Sequence, residues 1–216
     1  MKNIIFIAPP AAGKGTLSDK ICEKYNIPHI STGDLLRDEI VAQSKIGTQI
    51  REAMARGDNV SDEIVIKLLK KRLTSKDVKK GFILDGYPRN VNQAKAYEHL
   101  LEELNLDMGT VIYLEITKEL AMQRMLNRVI CSHCGLSYNL SKKELPPIKK
   151  GICDRCGANL KVRIDDNEET FSKRFDTYML ETYPLIEYYE KENRLVKITV
   201  ANKNPLEIFE EIEKVF

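Results

Sequence analysis

Residues 3–16, NIIFIAPPAAGKGT, decide how this chain is read. Asn3 to Ile7 is a short run of β-branched and aromatic residues that reads as a strand, and the spacing of Leu17, Ile21 and Tyr25 after it reads as one face of a helix. The joining loop, APPAAGKGT at 8–16, holds Gly13, Lys14, Gly15 and Thr16. A strand that enters a helix through such a loop is the setting of a phosphate-binding loop. Its backbone N–H groups point at phosphate oxygens, the helix N-terminus adds partial positive charge, and Lys14 is placed to neutralise phosphate. The match departs from the common pattern in two places: Ala8 stands at the first glycine, and Thr16 follows Gly15 instead of the lysine. Taken alone, the segment is also consistent with an ordinary glycine-containing turn carrying a solvated lysine.

Outward from the loop, short apolar runs alternate with longer amphipathic ones. Gly81 to Leu84, Thr110 to Ile116 and Leu195 to Val200 read as strands, and His29 with Ile30 as a short one. This alternation predicts an α/β fold whose mainly parallel sheet of about five strands is covered on both faces. Asp85 ends one strand, where phosphate-loop proteins place the carboxylate that organises Mg2+ and its waters. Ser61 is placed to cap a helix, Val60 and Val65 to form a hydrophobic staple, and Gly57 to end the preceding helix. Pro205 fits a first helical position after Asn204. Arg124 and Arg128, four apart on a helical pattern, are expected to share one face.

From about Val129 to Val162 the pattern breaks into glycines, a Pro146-Pro147 pair and four cysteines, which reads as an inserted subdomain. Cys131 and Cys134 form one C-x-x-C and Cys153 and Cys156 another, with 18 residues between the pairs. That spacing is read as a zinc ribbon, and four thiolates make a closed, structural site. Gly135 and Gly157 follow the pairs and permit the tight turn of a metal knuckle. A redox dithiol pair is the competing reading. His133 is expected to be exposed, and Cys22 to act as a small buried hydrophobe.

With 34 basic and 32 acidic residues, the formal charge of +2 leaves no bulk excess to draw nucleic acid or membrane, so any electropositive site is local. The apolar run at the start is cut by Pro9 and Pro10 after five or six residues, shorter than the core of a signal peptide, and no stretch approaches a membrane span. The expectation is a soluble cytoplasmic protein with reduced thiols.

Three further segments carry a resemblance. STGDLLR at 31–37, DGYPR at 85–89 with Gln93 four residues on, and DDNEET at 165–170 followed by Arg174 resemble the motifs of the adenylate kinases in order and spacing. With the loop at 8–16 they span almost the whole chain. The resemblance is to the zinc-lid bacterial type within the nucleoside monophosphate kinases. It implies a three-layer phosphate-loop fold with a five-stranded parallel sheet: a core of residues 1–30, 61–128 and 164–216, a helical AMP-binding domain of 31–60, and a zinc-bearing lid of 129–163.

By the same resemblance, AMP is held by Thr32, Arg37, Asp58, Asn59, Val60, Gly86, Tyr87, Pro88, Arg89 and Gln93, with Gln93 reading the adenine edge. ATP is held by Ala11, Ala12, Gly13, Lys14, Gly15, Thr16, Arg128, Ser137, Tyr138 and the backbone of Lys203. Lys14, Asp85, Arg89, Arg124, Arg128, Arg163 and Arg174 form the catalytic set, with Arg163 and Arg174 also reaching AMP. The implied cofactors are Mg2+ with ATP and structural Zn2+, and the implied partners are ATP, AMP and ADP, with no nucleic acid or membrane and a monomeric chain. Guanidinium groups suit this task because they bind phosphate oxygens in bidentate fashion. Two other functions fit the residues less well: a UMP or CMP kinase on the same scaffold, and a nucleic-acid-binding ribbon switched by the phosphate loop. The lysines 142, 143, 149 and 150 and Arg155 supply charge for the latter, but Tyr138 is the insert's one aromatic residue. Family members carry glycine where this chain has Ala8 and Ala11. Left-handed backbone at alanine costs roughly 1–2 kcal/mol, so neither position is expected to adopt it.

Overall fold

The structure, a computed structural model, describes residues 3–56, 60–141, 146–163 and 166–215. Its strands, in chain order, are β1 (Ile4–Ile7), β2 (His29–Ser31), β3 (Ile83–Asp85), β4 (Thr110–Glu115), β5 (Arg128–Cys131), β6 (Ser137–Asn139), β7 (Leu160–Lys161) and β8 (Leu195–Thr199). Five of them form the main sheet in the order β2-β3-β1-β4-β8, and every neighbouring pair is parallel. The α/β expectation and its five strands are borne out.

Alternation along β1 shows why these runs are apolar on both sides. Ile5 and Ile7 join Leu84, Val111 and Tyr113 in one core, while Ile4 and Phe6 join Ile83, Ile112 and Leu114 in another. Successive side chains of a strand point to opposite faces, so a sheet covered on both faces needs apolar residues throughout. The first core is closed by α4 (Asp62–Leu73), α5 (Val91–Leu104) and α8 (Pro184–Lys191) through Leu69, Tyr97 and Tyr189. The second is closed by α1 (Lys14–Tyr25), α6 (Lys118–Leu126), α7 (Glu168–Thr177) and α9 (Pro205–Glu213) through Ile21, Met125, Phe171 and Ile212. Between β2 and α4 lie α2 (Thr32–Val41) and α3 (Lys45–Arg56), packed on each other.

Helix ends follow the sequence signals in part. Asn204 Oδ1 accepts from the backbone N–H groups of Leu206 at 2.8 Å and Glu207 at 3.1 Å, while a Glu207 carboxylate oxygen accepts from Asn204 N–H at 2.7 Å. This is a full capping box with Pro205 in the first turn. Ser61 is the N-cap of α4 without a capping hydrogen bond from its side chain, and Val60 packs on the core that contains Val65. Gly57 lies outside the described residues.

Arg128 corrects the expected shared helical face with Arg124. Asn127, at φ −95° and ψ 7°, caps α6, and Arg128 is the first residue of β5. The insert that follows is an antiparallel sheet in the order β6-β5-β7 with its own small core of Val129, Cys131, Tyr138 and Cys153. Among the described residues, no helix is long and apolar enough to cross a membrane.

Candidate active site

The phosphate-loop segment lies at the carboxyl end of β1. In a parallel α/β sheet ligands bind in the crevice at that edge. Its first half is a tight turn in which the Pro9 carbonyl accepts from Ala12 N–H at 3.4 Å. Ala11 has φ 62° and Ala8 is not among the residues with positive φ. The expectation that neither alanine is left-handed therefore fails at Ala11. The turn takes the type II form: Pro10 at its second position holds φ negative, as types I and II both allow, and positive φ at the third position, which favours glycine, is what distinguishes type II. Gly13, at φ 99°, caps α1 and no side chain competes for the helix's first N–H groups.

Lys14 Nζ donates to the Ala8 carbonyl at 3.3 Å and lies 3.8 Å from Asp85 Oδ1. Register pairs Asp85 with Phe6 of β1 and with Ser31 of β2, so three strand ends meet here. His29 Nε2 is 3.7 Å from Asp85 Oδ2. Burial pushes the Asp85 carboxyl up, but the Lys14 ammonium, the His29 imidazole and the Arg89 guanidinium outweigh it and hold the group below its ordinary value.

Over this end of the sheet opens a cleft of about 410 Å³. Its lining brings together Ala11 to Thr16, Asp85, Arg124, Arg128, Arg163, Arg174, Ser137 and Tyr138. Lys203 is not in that lining; its ammonium meets the Glu211 carboxylate at 2.7 Å, while Pro205 and Ile208 reach the cleft. Arg128 forms a two-pronged contact with Asp166, its Nε donating to Oδ2 at 2.8 Å, and the Asp166 side chain is fully buried. Arg124 donates to the Ala12 carbonyl at 3.5 Å.

A second pocket, about 180 Å³, is lined by Thr32, Val60, Gly86, Tyr87, Arg89 and Gln93, and by Asp62 and Glu181. The Tyr87–Pro88 peptide is cis. Gly86 has φ 81°, and a Cβ there would lie 2.9 Å from Thr32 Oγ1, so both backbone and space call for glycine. Arg89 Nε donates to the Gly86 carbonyl at 2.9 Å. Arg37 lies outside this lining and its guanidinium contacts Asp34. Asp58 and Asn59 lie outside the described residues. His29, Asp62, Asp166 and Glu181 escaped the sequence reading as site residues. Asp166 stood within the DDNEET segment, but its pairing with Arg128 crosses 38 positions.

In the insert, one sulfur from each of Cys131, Cys134, Cys153 and Cys156 lies within 4.8 Å of the other three. Two contacts are 3.4 and 3.6 Å, close to the edge of about 3.8 Å for a tetrahedron with metal–sulfur bonds of about 2.3 Å. The Cys131 sulfur accepts from His133 and Cys134 N–H groups at 3.4 Å, and Gly135 and Gly157 have φ of 74° and 73° as the knuckles require. His133 is exposed. Tyr138, which is among the residues lining the cleft, accepts Asp154 N–H at 2.7 Å and sets its hydroxyl 3.5 Å from the Cys153 sulfur. That hydrogen bond is the largest influence lowering the Cys153 thiol to about 6. Cys22 is partly buried, and burial with the nearby Asp19 raises it to about 11.

A phosphate loop at the switch point of a parallel sheet, roofed by arginines and flanked by a second pocket, defines a nucleotide phosphotransferase of the phosphate-loop class. The family model described as adenylate kinase matches residues 6–194. The chain is 47% identical over 199 residues to an adenylate kinase of Thermosipho africanus, covering 92% of each chain. It is 44% identical over 214 residues to an adenylate kinase of a Geobacillus strain, covering 99% of this chain and 94% of that one. Against an adenylate kinase of Clostridium tetani the identity is 41% over 213 residues, covering 99% and 97%. The chain belongs to the adenylate kinase family and is a phosphotransferase enzyme.

Proposed function

We propose that this enzyme transfers the terminal phosphoryl group of ATP to AMP, giving two ADP. The observation that carries the reading is the convergence of Lys14, the helix α1 N-terminus and four arginines on one cleft, with a smaller pocket beside it at Gly86–Gln93. ATP and AMP together bring several negative charges that such a cluster can neutralise. ATP lies along Ala11 to Thr16 and under Ser137 and Tyr138, with the Lys203 backbone at its base. AMP fills the smaller pocket with Thr32, Arg37, Arg89 and Gln93 around it and Asp58 to Val60 beside it.

No protein base is needed, because the second phosphate pKa of about 6 leaves the AMP phosphate largely ionised at neutral pH. Lys14, Arg89, Arg124, Arg128, Arg163 and Arg174 hold the reacting groups in line and stabilise the spread charge. Asp85 would hold the waters of Mg2+, and the ion would supply charge to neutralise phosphate. Residues 1–30, 61–128 and 164–216 act as the core, 31–60 as the AMP-binding domain and 129–163 as a lid whose closure excludes water. Four thiolates suit Zn2+ and would leave it no open position, so Cys131, Cys134, Cys153 and Cys156 would hold it as a structural metal that ties the lid's small core together. The enzyme works as a monomer, since both pockets are built from one chain, and in the cytoplasm, where cysteines without disulfides persist.

A coupled assay of ADP formation from MgATP with AMP, UMP or CMP tests this. Turnover confined to AMP is expected; turnover with a pyrimidine monophosphate and not with AMP would refute the substrate.

A further inference from the structure

Two hydrogen bonds fix which end of the Gln93 amide is which. Gln93 Oε1 accepts the backbone N–H of Arg89 at 2.7 Å, and Gln93 Nε2 donates to Asp62 Oδ1 at 2.6 Å. The two ends of an amide are nearly alike in size, so only the partners decide its direction. Here they leave one solution: a peptide N–H only donates, and a carboxylate only accepts. Turning the amide over would set N–H against N–H and carbonyl oxygen against carboxylate oxygen. The backbone contact alone is a single restraint, and Asp62 doubles it.

The elements are arranged for this meeting. Asp62 is the first residue of α4, where negative charge is favoured, and Gln93 lies in the first turn of α5 with its own N–H bonded to Asn90 Oδ1 at 2.9 Å. Both residues line the smaller pocket.

Each end of the amide keeps capacity for a ligand: one more lone pair on Oε1 and one more N–H on Nε2. An oxygen of fixed place accepts from an exocyclic amino group, and an N–H of fixed place donates to a ring nitrogen. Adenine offers that pair, whereas a 6-oxo purine presents an acceptor where adenine has a donor. The geometry points to Asp62 as a specificity-determining residue that acts through Gln93, holding its amide in the direction that accepts a 6-amino purine and refuses a 6-oxo one. This rests on the reading of the smaller pocket as the monophosphate site. Asparagine at 62 both donates and accepts, so it no longer selects a direction for Gln93 and leaves the Arg89 N–H as the single restraint.

The test compares kcat/KM for AMP and for inosine monophosphate, which carries a 6-oxo group and adds no 2-amino clash, in the wild type and in Asp62→Asn. We expect the AMP-to-inosine-monophosphate ratio to fall about tenfold or more in the variant, chiefly through KM, because a mispaired polar contact sets such ratios. Asp62→Glu keeps the carboxylate and restores most of the ratio. Asp62→Ser, which also donates and accepts, repeats the fall and serves if the asparagine variant does not fold. A purely structural role at the start of α4 would lower thermal stability and both kcat/KM values alike; an unchanged ratio in folded variants therefore overturns the role of Asp62 alone. A wild type inactive with AMP overturns the reading of the pocket and this inference with it.

Discussion

Glycine in place of Ala11 should make this enzyme more stable. Ala11 has φ 62° in the turn closed by Ala12 N–H and the Pro9 carbonyl, where Pro10 before it holds the negative φ of a type II turn's second position. Left-handed backbone costs an L-residue roughly 1–2 kcal/mol. Glycine removes that cost but gives back about 0.5–1 kcal/mol through the greater freedom of its unfolded chain. The net gain spans about 0–1.5 kcal/mol with a central value of about 0.75 kcal/mol, which for a chain of this size raises Tm by about 1.5–3 °C. Scanning calorimetry on nucleotide-free wild type and Ala11→Gly measures it. Ala8→Gly is the control: Ala8 is buried and lacks positive φ, so it should only lose stability. A Tm for Ala11→Gly equal to or below that of the wild type would refute the reasoning, since the strain would then not be present at this site.

Other consequences are open to test. Arg89→Ala should lower kcat at least about 100-fold with little change in Tm, because its guanidinium is exposed and one lost donor to developing charge has that scale. Arg128→Ala should lose activity and also about 3–5 kcal/mol of stability in urea unfolding, because the buried Asp166 carboxylate is left without its partner. Chelating the metal from zinc-loaded protein should lower Tm while changing AMP affinity less than about twofold, and unchanged melting after verified metal loss would refute a structural role. The Asp85 carboxyl is held below its ordinary value of 3.8, so its contribution to stability is complete above that pH and is lost as pH falls through the lowered value. Asp85→Asn should therefore show a shallower loss of urea stability toward low pH than the wild type, and equal slopes would count against it.

The main sheet was legible because burial on both faces turns each strand into an unbroken apolar run. Asn3 to Ile7, Thr110 to Ile116 and Leu195 to Val200 differ from the observed strands by a residue at an end. The insert was not legible as strands: β5 to β7 span four, three and two residues, too short for apolar periodicity to show, and they lie around the cluster of four cysteines. The placement of Arg128 on a helix failed because spacing four from Arg124 carries no information about the cap at Asn127. Ala11 was misjudged from its residue type, although Pro10 immediately before it was a turn signal. Asp62, Asp166 and Glu181 were missed because their partners lie on other elements, and a linear sequence does not show which helix start faces which. The loop and the four cysteines were legible because their chemistry restricts residue type at each position, whereas the arginines that line the cleft came from the resemblance alone.

Product stoichiometry tests the central claim most directly. With MgATP and AMP at equal concentration, the purified enzyme should form two ADP for every AMP consumed, and from ADP alone it should return ATP and AMP. ATP loss without matching AMP loss, or no ADP beyond that of hydrolysis, would contradict the assignment of the two pockets to the two nucleotides.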